Sequence, residues 1–432
     1  MGGGMLETLK RAWLVPDLRR RLLFTVLMIV IFRVGGNIPV PGIDRPAFTS
    51  LLQRFGQLGS LMDIMSGGAL ATVSIFAMGI TPYINASIII QLMTVAIPYL
   101  EQLSKEGETG RKKIQQIVRI TTVVLALIQA FAFWFNTRQV ATGALPIWLN
   151  GLVVTLTFTA GTAVIMWIGE LINDRGIGNG ISIIIFAGIV SRVPQMISSL
   201  WMLARQWAVN NVFLALLGVA LIVVLTIGGV LVVLFVQMAE RRIPIQYAKR
   251  VVGRRIYGGQ ATYLPIKVNQ SGVLPVIFTM SILQIPNLIV TFFFSHSNGP
   301  VVNWFRNFST SPVYYVLQAM LIIGFTFFYS TIQFNPIEIA NNIQKNGGYI
   351  PGIRPGRPTS DYISRTSHRL CWFDGIFLAF ITLAPMLLGI FTRTSSIWFG
   401  GTAIIIIVGV CLDLVNQLEA QMSMRNYKGF LD

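Results

Sequence analysis

Apolar stretches, each long enough to cross a membrane, alternate with short polar segments along the whole chain. They cover residues 20–38, 73–97, 117–136, 152–173, 180–201, 212–238, 272–294, 313–333, 372–392 and 398–418. A membrane-spanning helix needs roughly 20 mostly apolar residues. Runs such as the four isoleucines at 404–407 lack the alternation that a transmembrane barrel strand requires. The pattern therefore predicts an all-α polytopic membrane protein with ten transmembrane helices.

Lysine and arginine are distributed unevenly between the two ends of these predicted helices. Segments on the same side as the N-terminus hold 25 of the 33 basic residues, and the other side holds eight. Loops on the cytoplasmic side of membrane proteins carry an excess of lysine and arginine. The distribution therefore predicts that both termini lie in the cytoplasm and that the chain passes many times through the plasma membrane.

Ten helices divide naturally into two sets of five. Because five is odd, the second set would enter the membrane inverted relative to the first, as in many transport proteins. We expect a cytoplasmic N-terminus (1–19), a first half (20–201), a second half (202–418) and a cytoplasmic tail (419–432). The two halves show no clear sequence match, so this division rests on the helix count.

Three segments break the simple pattern of helix and short loop. Residues 39–72 contain an apolar piece at 61–70 that is too short to cross a membrane. Residues 239–271 and 334–371 form long basic loops rich in glycine and proline. Long loops in compact proteins are usually functional or disordered. The apolar and aromatic residues within these two argue against disorder.

Composition supports a membrane protein rather than a soluble one. The chain is 54% hydrophobic and 11% charged, with a mean hydropathy of +0.68. Soluble domains carry about 25% charged residues. The net charge of +17 follows from the basic cytoplasmic loops, so no nucleic-acid patch is needed to explain it. The two cysteines, Cys371 and Cys411, have no metal-ligand spacing and are interpreted as packing residues.

Motifs that carry catalysis are missing from the sequence. It has two histidines and no phosphate loop, and the glycine-rich segment 176–180 lacks the spacing of a dinucleotide fingerprint. We therefore expect neither enzyme activity nor a metal or other cofactor.

Acidic residues in or beside the apolar stretches fall near the predicted helix ends. They are Glu170, Asp174, Glu240, Asp374 and Asp413. Ion-coupled transporters usually carry such groups in the middle of their spans, so the placement weakens that class. A small-solute transporter with ten helices remains an alternative.

Two local patterns stand out from this background. In the second predicted helix, Pro82 should kink the backbone, and Ile80, Ile84 and Ile88 lie on one face at a spacing of four. A packing stripe is the favoured explanation of those isoleucines if they stand alone. In the last long loop, residues 351–356 predict a rigid exposed turn presenting Arg354, although a plain topological arginine is the alternative.

Five ordered motifs resemble the SecY family of protein-translocation channels, in its bacterial form. They are Gly79–Leu92, Gly176–Ile183, Tyr247–Arg250, Leu264–Asn269 continuing into Gly272–Pro275, and Pro351–Gly356. The resemblance runs in order from about residue 6 to 425. It implies a passive channel that moves unfolded secretory chains across the bacterial plasma (inner) membrane and releases transmembrane segments sideways into lipid.

The resemblance also assigns residues to parts of such a channel. It implies a pore ring made of Ile80, Ile84, Ile181, Ile185, Ile277 and Ile406. Spacing alone does not separate Ile406 from its isoleucine neighbours. A plug at approximately 58–72 would close the pore and include Leu61, Met62, Asp63, Ile64, Met65, Ser66, Gly67 and Gly68.

Two further sets of residues follow from the same resemblance. A lateral gate between the second and seventh helices would involve Ser87, Ile88, Gln91, Gln284 and Asn287. Docking of a motor and of ribosomes would involve Lys249, Arg250, Arg254, Arg255 and Arg354. The implied partners are small membrane subunits resembling SecE and SecG, a SecA-like motor ATPase, the ribosome, signal sequences and unfolded polypeptides. We expect no nucleic-acid recognition beyond ribosome docking.

Overall fold

The apolar stretches fold as long helices in the computed structural model of the protein. The structure describes residues 10, 13–54, 66–141, 146–210, 212–247, 250–252, 255–257, 261–293, 299–306, 308, 311–392 and 401–428. The helices of the first half are α1 (Pro16–Gly35), α2 (Arg45–Arg54), α3 (Thr81–Ala96), α4 (Pro98–Lys105), α5 (Glu108–Thr137), α6 (Ile147–Arg175), α7 (Gly180–Val190) and α8 (Val193–Asn210). A short 3₁₀ turn, Arg138–Val140, follows α5.

The second half of the chain adds seven helices and all of the strands that the structure describes. The helices are α9 (Val212–Met238), α10 (Leu274–Phe293), α11 (Pro300–Arg306), α12 (Pro312–Gln333), α13 (Pro336–Lys345), α14 (Arg357–Thr392) and α15 (Gly401–Lys428). The strands are β1 (Glu240–Tyr247), β2 (Arg250–Val252), β3 (Arg255–Tyr257), β4 (Ala261–Lys267) and β5 (Gly348–Tyr349).

The second predicted span differs most from its prediction. Residues 66–80 run through turns, and the helix begins only at Thr81, with Pro82 in its first turn. It stops at Ala96 because Ile97 precedes Pro98 and adopts an extended conformation. The chain then bends by 100° into α4. Proline therefore shortens this span from the predicted 73–97.

Two other predicted spans have different boundaries in the structure. The stretch 180–201 is divided by a turn at Ser191 and Arg192 into α7 and α8. Helix α14 begins at Arg357 rather than at 372, so its 36 residues extend about 54 Å, well beyond the roughly 30 Å of a bilayer core. Its first part therefore projects out of the membrane.

The described residues contain seven helices long and apolar enough to cross a membrane, or eight when the bent pair α3–α4 counts as one span. Two other helices fall outside this count. Helix α1 (Pro16–Gly35) carries the charged triplet Arg19–Arg21 near its start, and the apolar part of α10 runs only from Leu274 to Pro286. Helix α9 leaves Phe235 76% exposed and Leu216 68% exposed. So much exposed apolar surface suits a lipid environment, and the protein is a polytopic helical membrane protein. The count of ten spans stays a prediction.

Three apolar clusters organise the membrane part. One packs Val154 and Phe158 of α6 against residues of the segments that flank α2. A second joins α9, α10, α12, α14 and α15 around Ile322 and Leu378. The third and largest lies between them and draws on helices from both halves. This central cluster is where the two predicted halves meet.

The described parts of the two long basic loops, 239–271 and 334–371, fold together. Strand β1 pairs antiparallel with β4 along its length, from Glu240↔Lys267 to Gln246↔Ala261, and with β5 at Gln246↔Tyr349. The resulting sheet has the order β4-β1-β5. Its apolar face packs on α13 and on the projecting part of α14, with a core of Ile243, Ile245, Ile266, Ile343, Ile350 and Ile363. The loops therefore form one rigid platform at one end of the helices.

Candidate functional site

An isoleucine-rich cluster occupies the centre of the helix bundle. The structure brings all six isoleucines of the predicted ring into it: Ile80, Ile84, Ile181, Ile185, Ile277 and Ile406. Three of them, Ile80, Ile84 and Ile406, are buried, while the other three are half-buried and pack against the same core. Side chains from α7, α10, α15 and the start of α3 thus converge on one apolar region. We call this region the waist.

Local sequence explains how α3 and α7 present their isoleucines. Ile80 caps α3, and the spacing of four places Ile84 one turn further along the same face. Helix α7 starts at a true N-cap, because the side chain of Asn179 accepts hydrogen bonds from the backbone N–H groups of Ile181 (3.1 Å) and Ser182 (3.4 Å).

The glycine-rich motif 176–180 allows the chain to turn into the start of α7. Gly178 has a φ of +87°, a conformation that side chains disfavour. A side chain on Gly180 would collide with the backbone carbonyl of Gly169 on α6. The motif therefore lets the chain turn sharply and pack α7 closely against α6, a structural role.

The structure separates the four consecutive isoleucines of α15. Ile406 and Ile407 pack on the waist, whereas Ile404 and Ile405 belong to the cluster of the second half. Successive residues of a helix are rotated by about 100°, so neighbours face different directions. This distinction was open in the sequence.

The predicted plug lies only partly within the described chain. Leu61, Met62, Asp63, Ile64 and Met65 fall outside the described residues. Ser66 is buried, and its hydroxyl accepts a hydrogen bond from the backbone N–H of Leu70 at 3.1 Å. Gly67 and Gly68 follow in a left-handed turn, with φ values of +68° and +89°. This end of the predicted plug rests against the C-terminal end of α7.

Helices α3 and α10, the two sides of the predicted lateral gate, are in contact. Ile88 is buried in the central cluster, and Ser87 is half-buried on the adjoining face of α3. On α10, Gln284 is half-buried, and the side chain of Asn287 lies outside the described side chains.

A tyrosine that the sequence did not single out joins this region. The Tyr329 hydroxyl on α12 donates a hydrogen bond to Oε1 of Gln91 on α3 at 2.8 Å. The Tyr329 ring is buried and lies 4.9 Å, centroid to centroid, from the ring of Phe278 on α10. Tyr329 therefore connects both gate helices. Its position within a long apolar stretch gave no signal of this role.

A buried polar network joins the residues that precede α10 to α12 and α14. Oε1 of Gln270 accepts hydrogen bonds from the hydroxyls of Ser330 (2.9 Å) and Ser367 (3.1 Å). The Ser271 hydroxyl donates to the carboxylate of Asp374 at 3.0 Å. The sequence pattern placed Asp374 near a helix end, but α14 starts earlier and Asp374 is buried well inside it. The network ties the base of α10 to α12 and α14.

Three of the basic residues predicted for docking, Arg250, Arg255 and Arg354, lie within the described chain. Lys249 and Arg254 fall outside the described residues, while Arg250 and Arg255 belong to the paired strands β2 and β3. The turn at 351–356 has the predicted form. Gly352 and Gly356 adopt φ values of +82° and +94°, and the Arg354 side chain is exposed.

Contacts on both sides hold the Arg354 turn in place. Ile353 packs against the platform core. The backbone carbonyl of Arg354 accepts a hydrogen bond from the Thr359 hydroxyl at 2.8 Å. A groove of about 790 Å³ opens next to the turn, bordered by Phe334, Ile337 and Gly356 among others. The backbone of the turn is therefore held in place, and the Arg354 side chain is exposed beside a concave surface.

Comparisons with known proteins agree with this architecture. A family model described as SecY matches residues 74–415. The protein translocase subunit SecY of Streptomyces coelicolor is 45% identical over 444 residues, covering 99% of this chain and 100% of the relative. The subunit of the same name from Bacillus subtilis is 43% identical over 437 residues, with the same coverage.

Solved structures match in fold. One described as a protein conducting channel aligns with a TM-score of 0.64 at 19% identity, over 94% of this chain and 92% of its own. Sec61 from a canine ribosome–channel complex aligns with a TM-score of 0.61 at 17% identity, with the same coverage. The family match across most of the sequence and the full-length relatives show that this chain belongs to the SecY family.

Proposed function

We propose that the waist is the constriction through which this plasma-membrane protein conducts unfolded polypeptides. The observation that carries the proposal is the convergence of six isoleucines from separate helices on one apolar region. The full-length relatives are translocase subunits, so the small-solute transporter alternative is not retained. The ten-span topology, with cytoplasmic termini and two inverted halves, is part of this proposal.

Branched apolar side chains suit a constriction that must pass any sequence. They form no specific hydrogen bonds that would trap a polar segment of the substrate. When the waist is closed, an apolar constriction excludes ions by dewetting. When a chain occupies it, the same side chains seal around that chain. The channel is passive and has no catalytic step, so the direction of transport comes from a partner.

Ile405 and Ile406 pack in different clusters, and this difference provides a direct test of the waist. In a cysteine-free background, a polypeptide arrested during export should cross-link to Ile406→Cys, because residue 406 packs on the waist. It should not cross-link to Ile405→Cys, whose side chain is fully buried in the cluster of the second half. Cross-linking yield measured on gels distinguishes the two positions. Equal yields would rule out this pore lining.

We place the lateral gate between α3 and α10. A signal sequence is itself an apolar helix, and each leucine, isoleucine, valine or phenylalanine gains about 0.3–0.6 kcal/mol on entering lipid. Separation of α3 from α10 would open a path from the waist to the bilayer. Ser87, Ile88 and Gln91 would line one side of that path, and Gln284 and Asn287 the other.

The hydrogen bond from Tyr329 to Gln91 should hold this gate closed. Tyr329→Phe removes the hydroxyl and keeps the ring against Phe278. A neutral hydrogen bond contributes about 0.5–1.5 kcal/mol, so precursors with weak signal sequences should be exported about two- to tenfold faster.

A matched control uses another buried tyrosine of α12. Tyr314→Phe lies near the opposite end of that helix, against Phe308, and should leave export unchanged. Export rates into vesicles, measured for both variants and for Gln91→Ala, complete the comparison. Additive effects of Tyr329→Phe and Gln91→Ala in the double variant would show that the bond does not act on the gate.

The platform is proposed as the surface that receives the driving partner. One of the solved structures that this chain matches in fold is described as part of a ribosome–channel complex. This description supports a cytoplasmic docking role for the platform. Lys249, Arg250, Arg254 and Arg255 would supply positive charge from the hairpin, and Arg354 would contact a SecA-like motor. Small subunits resembling SecE and SecG, which should co-purify with the chain, would complete the channel in the membrane.

The segment 58–72 is proposed as a plug that closes the pore beyond the waist. An apolar ring alone leaks when it is transiently wetted, so a second barrier reduces the loss of ions. The end of the segment at Ser66–Gly68 already packs against the helix that carries Ile181 and Ile185. This contact supports a position of the plug beside the waist.

A further inference from the structure

Residues 73–80, which lead into α3, pass through the helix bundle in turns rather than as a helix. They are largely buried, and Phe76 and Ile80 are each 3% exposed. Non-helical backbone at membrane depth is tolerated only where protein buries it or where it lines a water-filled cavity. A segment without a helical ladder of hydrogen bonds has little rigidity of its own, so its neighbours decide where it lies. We call residues 73–80 the entry segment.

Two glycines allow the entry segment to lie between α1 and α6. Gly161 of α6 faces its backbone, and an ideal Cβ there would overlap the carbonyl oxygen of Ile75. Gly35, the last residue of α1, faces the ring of Phe76, and an ideal Cβ there would lie 2.6 Å from Cζ of that ring. The same ring stacks on Phe32 of α1, with 5.9 Å between the centroids. Both positions therefore accept only glycine while the segment keeps this place.

Backbone hydrogen bonds hold the first residues of the entry segment. The N–H of Ile75 donates to the carbonyl of Ile38 at 3.0 Å, and the carbonyl of Val73 accepts from the N–H of Val40 at 2.9 Å. These bonds fix the end of the segment that is farther from the waist. A displacement further along the segment is therefore passed toward the waist.

The other end of the entry segment continues directly into the waist. The N–H of Gly79 donates to the carbonyl of Phe76 at 2.8 Å, and the N–H of Ile84 donates to the carbonyl of Ile80 at 3.1 Å. Consecutive hydrogen-bonded turns thus link Phe76 to Ile84, with Ile80 between them. A movement of Phe76 therefore also moves Ile80 and Ile84, two of the six isoleucines of the waist.

We propose that Gly35 and Gly161 set the closed position of the entry segment and, through it, the positions of Ile80 and Ile84. The closed waist requires side chains from several helices to meet, so only one position of the segment seals it. An occupied waist packs around substrate side chains of many sizes and accepts a range of positions. A displaced entry segment therefore weakens the closed state more than the occupied one. This inference rests on the proposed function of the waist and makes both glycines positioning residues for its closure.

Gly161→Ala tests the contact with the backbone. The added methyl group displaces the carbonyl of Ile75, whereas alanine itself favours the helical conformation of α6 more than glycine does. Export of a precursor with a disabled signal sequence, measured by protease protection in vesicles, should rise about tenfold, a typical effect of overpacking on an equilibrium. Precursors with intact signal sequences should be exported at the wild-type rate, which a misfolded channel cannot achieve. Gly324→Ala is the matched control, because an ideal Cβ at Gly324 meets no atom within 4 Å.

Gly35→Ala tests the contact with the ring of Phe76. The same rise of about tenfold in export of the disabled precursor is expected. Gly36→Ala is the control at the neighbouring position, since an ideal Cβ at Gly36 comes no closer than 3.4 Å to any atom, which is an ordinary contact. A wild-type requirement for a signal sequence in both Gly35→Ala and Gly161→Ala would overturn the proposal.

A second substitution distinguishes the two contacts. Phe76→Leu removes the ring atom Cζ that the methyl group of Gly35→Ala would meet, but it leaves the carbonyl of Ile75 in place. It should therefore restore the signal-sequence requirement of Gly35→Ala and leave that of Gly161→Ala relaxed, with Phe76→Leu alone as the baseline. Rescue of both glycine variants, or of neither, would show that these contacts do not position the waist. If Gly161→Ala fails to accumulate in the membrane, Gly35→Ala and its rescue decide the outcome.

Ile84→Asn, which changes the waist directly, separates this inference from the proposed pore. If Ile84→Asn relaxes the signal-sequence requirement while both glycine variants keep it, the waist stands and the positioning role is wrong. If Ile84→Asn also leaves the requirement unchanged, the waist proposal fails and the positioning role fails with it.

Discussion

Replacing Ile84 with asparagine should allow precursors with defective signal sequences to be exported. Ile84 is 7% exposed and packs in the waist. A buried amide without partners costs about 1–3 kcal/mol, and opening the waist lets water satisfy it. The substitution therefore destabilises the closed state relative to the open one. Export of a precursor with a disabled signal sequence should rise about 10- to 100-fold, as measured by protease protection in vesicles.

A matched variant on the same helix separates this effect from general destabilisation. Ile90 is as deeply buried as Ile84, but it packs with Val118 of α5, away from the waist. Ile90→Asn should lower stability without relaxing the need for a signal sequence. Asparagine at Ile181 or Ile277 should behave like asparagine at Ile84. If defective precursors stay rejected by all three waist variants, the pore ring is wrongly assigned.

Reversing the charge at Arg354 should abolish motor-driven export while the protein remains folded. The Arg354 side chain is exposed, and the turn is held by its backbone carbonyl and by Ile353. Arg354→Glu therefore leaves those contacts intact and places a negative charge where an acidic partner group would bind. Losing such a pair costs about 2–5 kcal/mol, so ATP-driven export should fall at least about 30-fold.

Arg365→Glu provides the control for the charge change. Arg365 is an exposed arginine on the projecting part of α14, away from the turn. This variant should keep most of the export activity, and both variants should melt at the wild-type temperature. Normal ATP-driven export by Arg354→Glu would refute its role in docking the motor. A loss of equal size in both variants would point to net charge rather than to this turn.

Much of the fold was predictable because a membrane restricts the possible structures. Backbone groups in lipid must be satisfied within the segment, so a long apolar run such as 212–238 has to form a helix. Helix α9 has the predicted bounds, Val212–Met238. The turn around Arg354 was also predictable, because proline and glycine restrict the local backbone. Full-length resemblance to the SecY family supplied the function.

Features that depend on contacts between distant segments were not predictable. Strand β5 pairs with β1, which lies about a hundred residues earlier in the sequence. Neither loop carried a sequence pattern that predicts this pairing. The start of α14 lies before the apolar stretch because its projecting part packs on the platform core. This boundary follows from tertiary packing rather than from hydropathy.

The sequence by itself determined that the chain is a helical membrane protein and which family it belongs to, since these depend on composition and short motifs, and it predicts the orientation from the basic residues. Only the tertiary structure decided that Ile406 rather than Ile405 faces the waist, that Tyr329 forms a hydrogen bond with Gln91, and that Gly188 packs against Gly67. The physical reason is that a side chain's neighbours depend on how helices are rotated and packed. Hydrophobicity is nearly the same on every face of a helix surrounded by lipid and protein, so it does not encode that rotation.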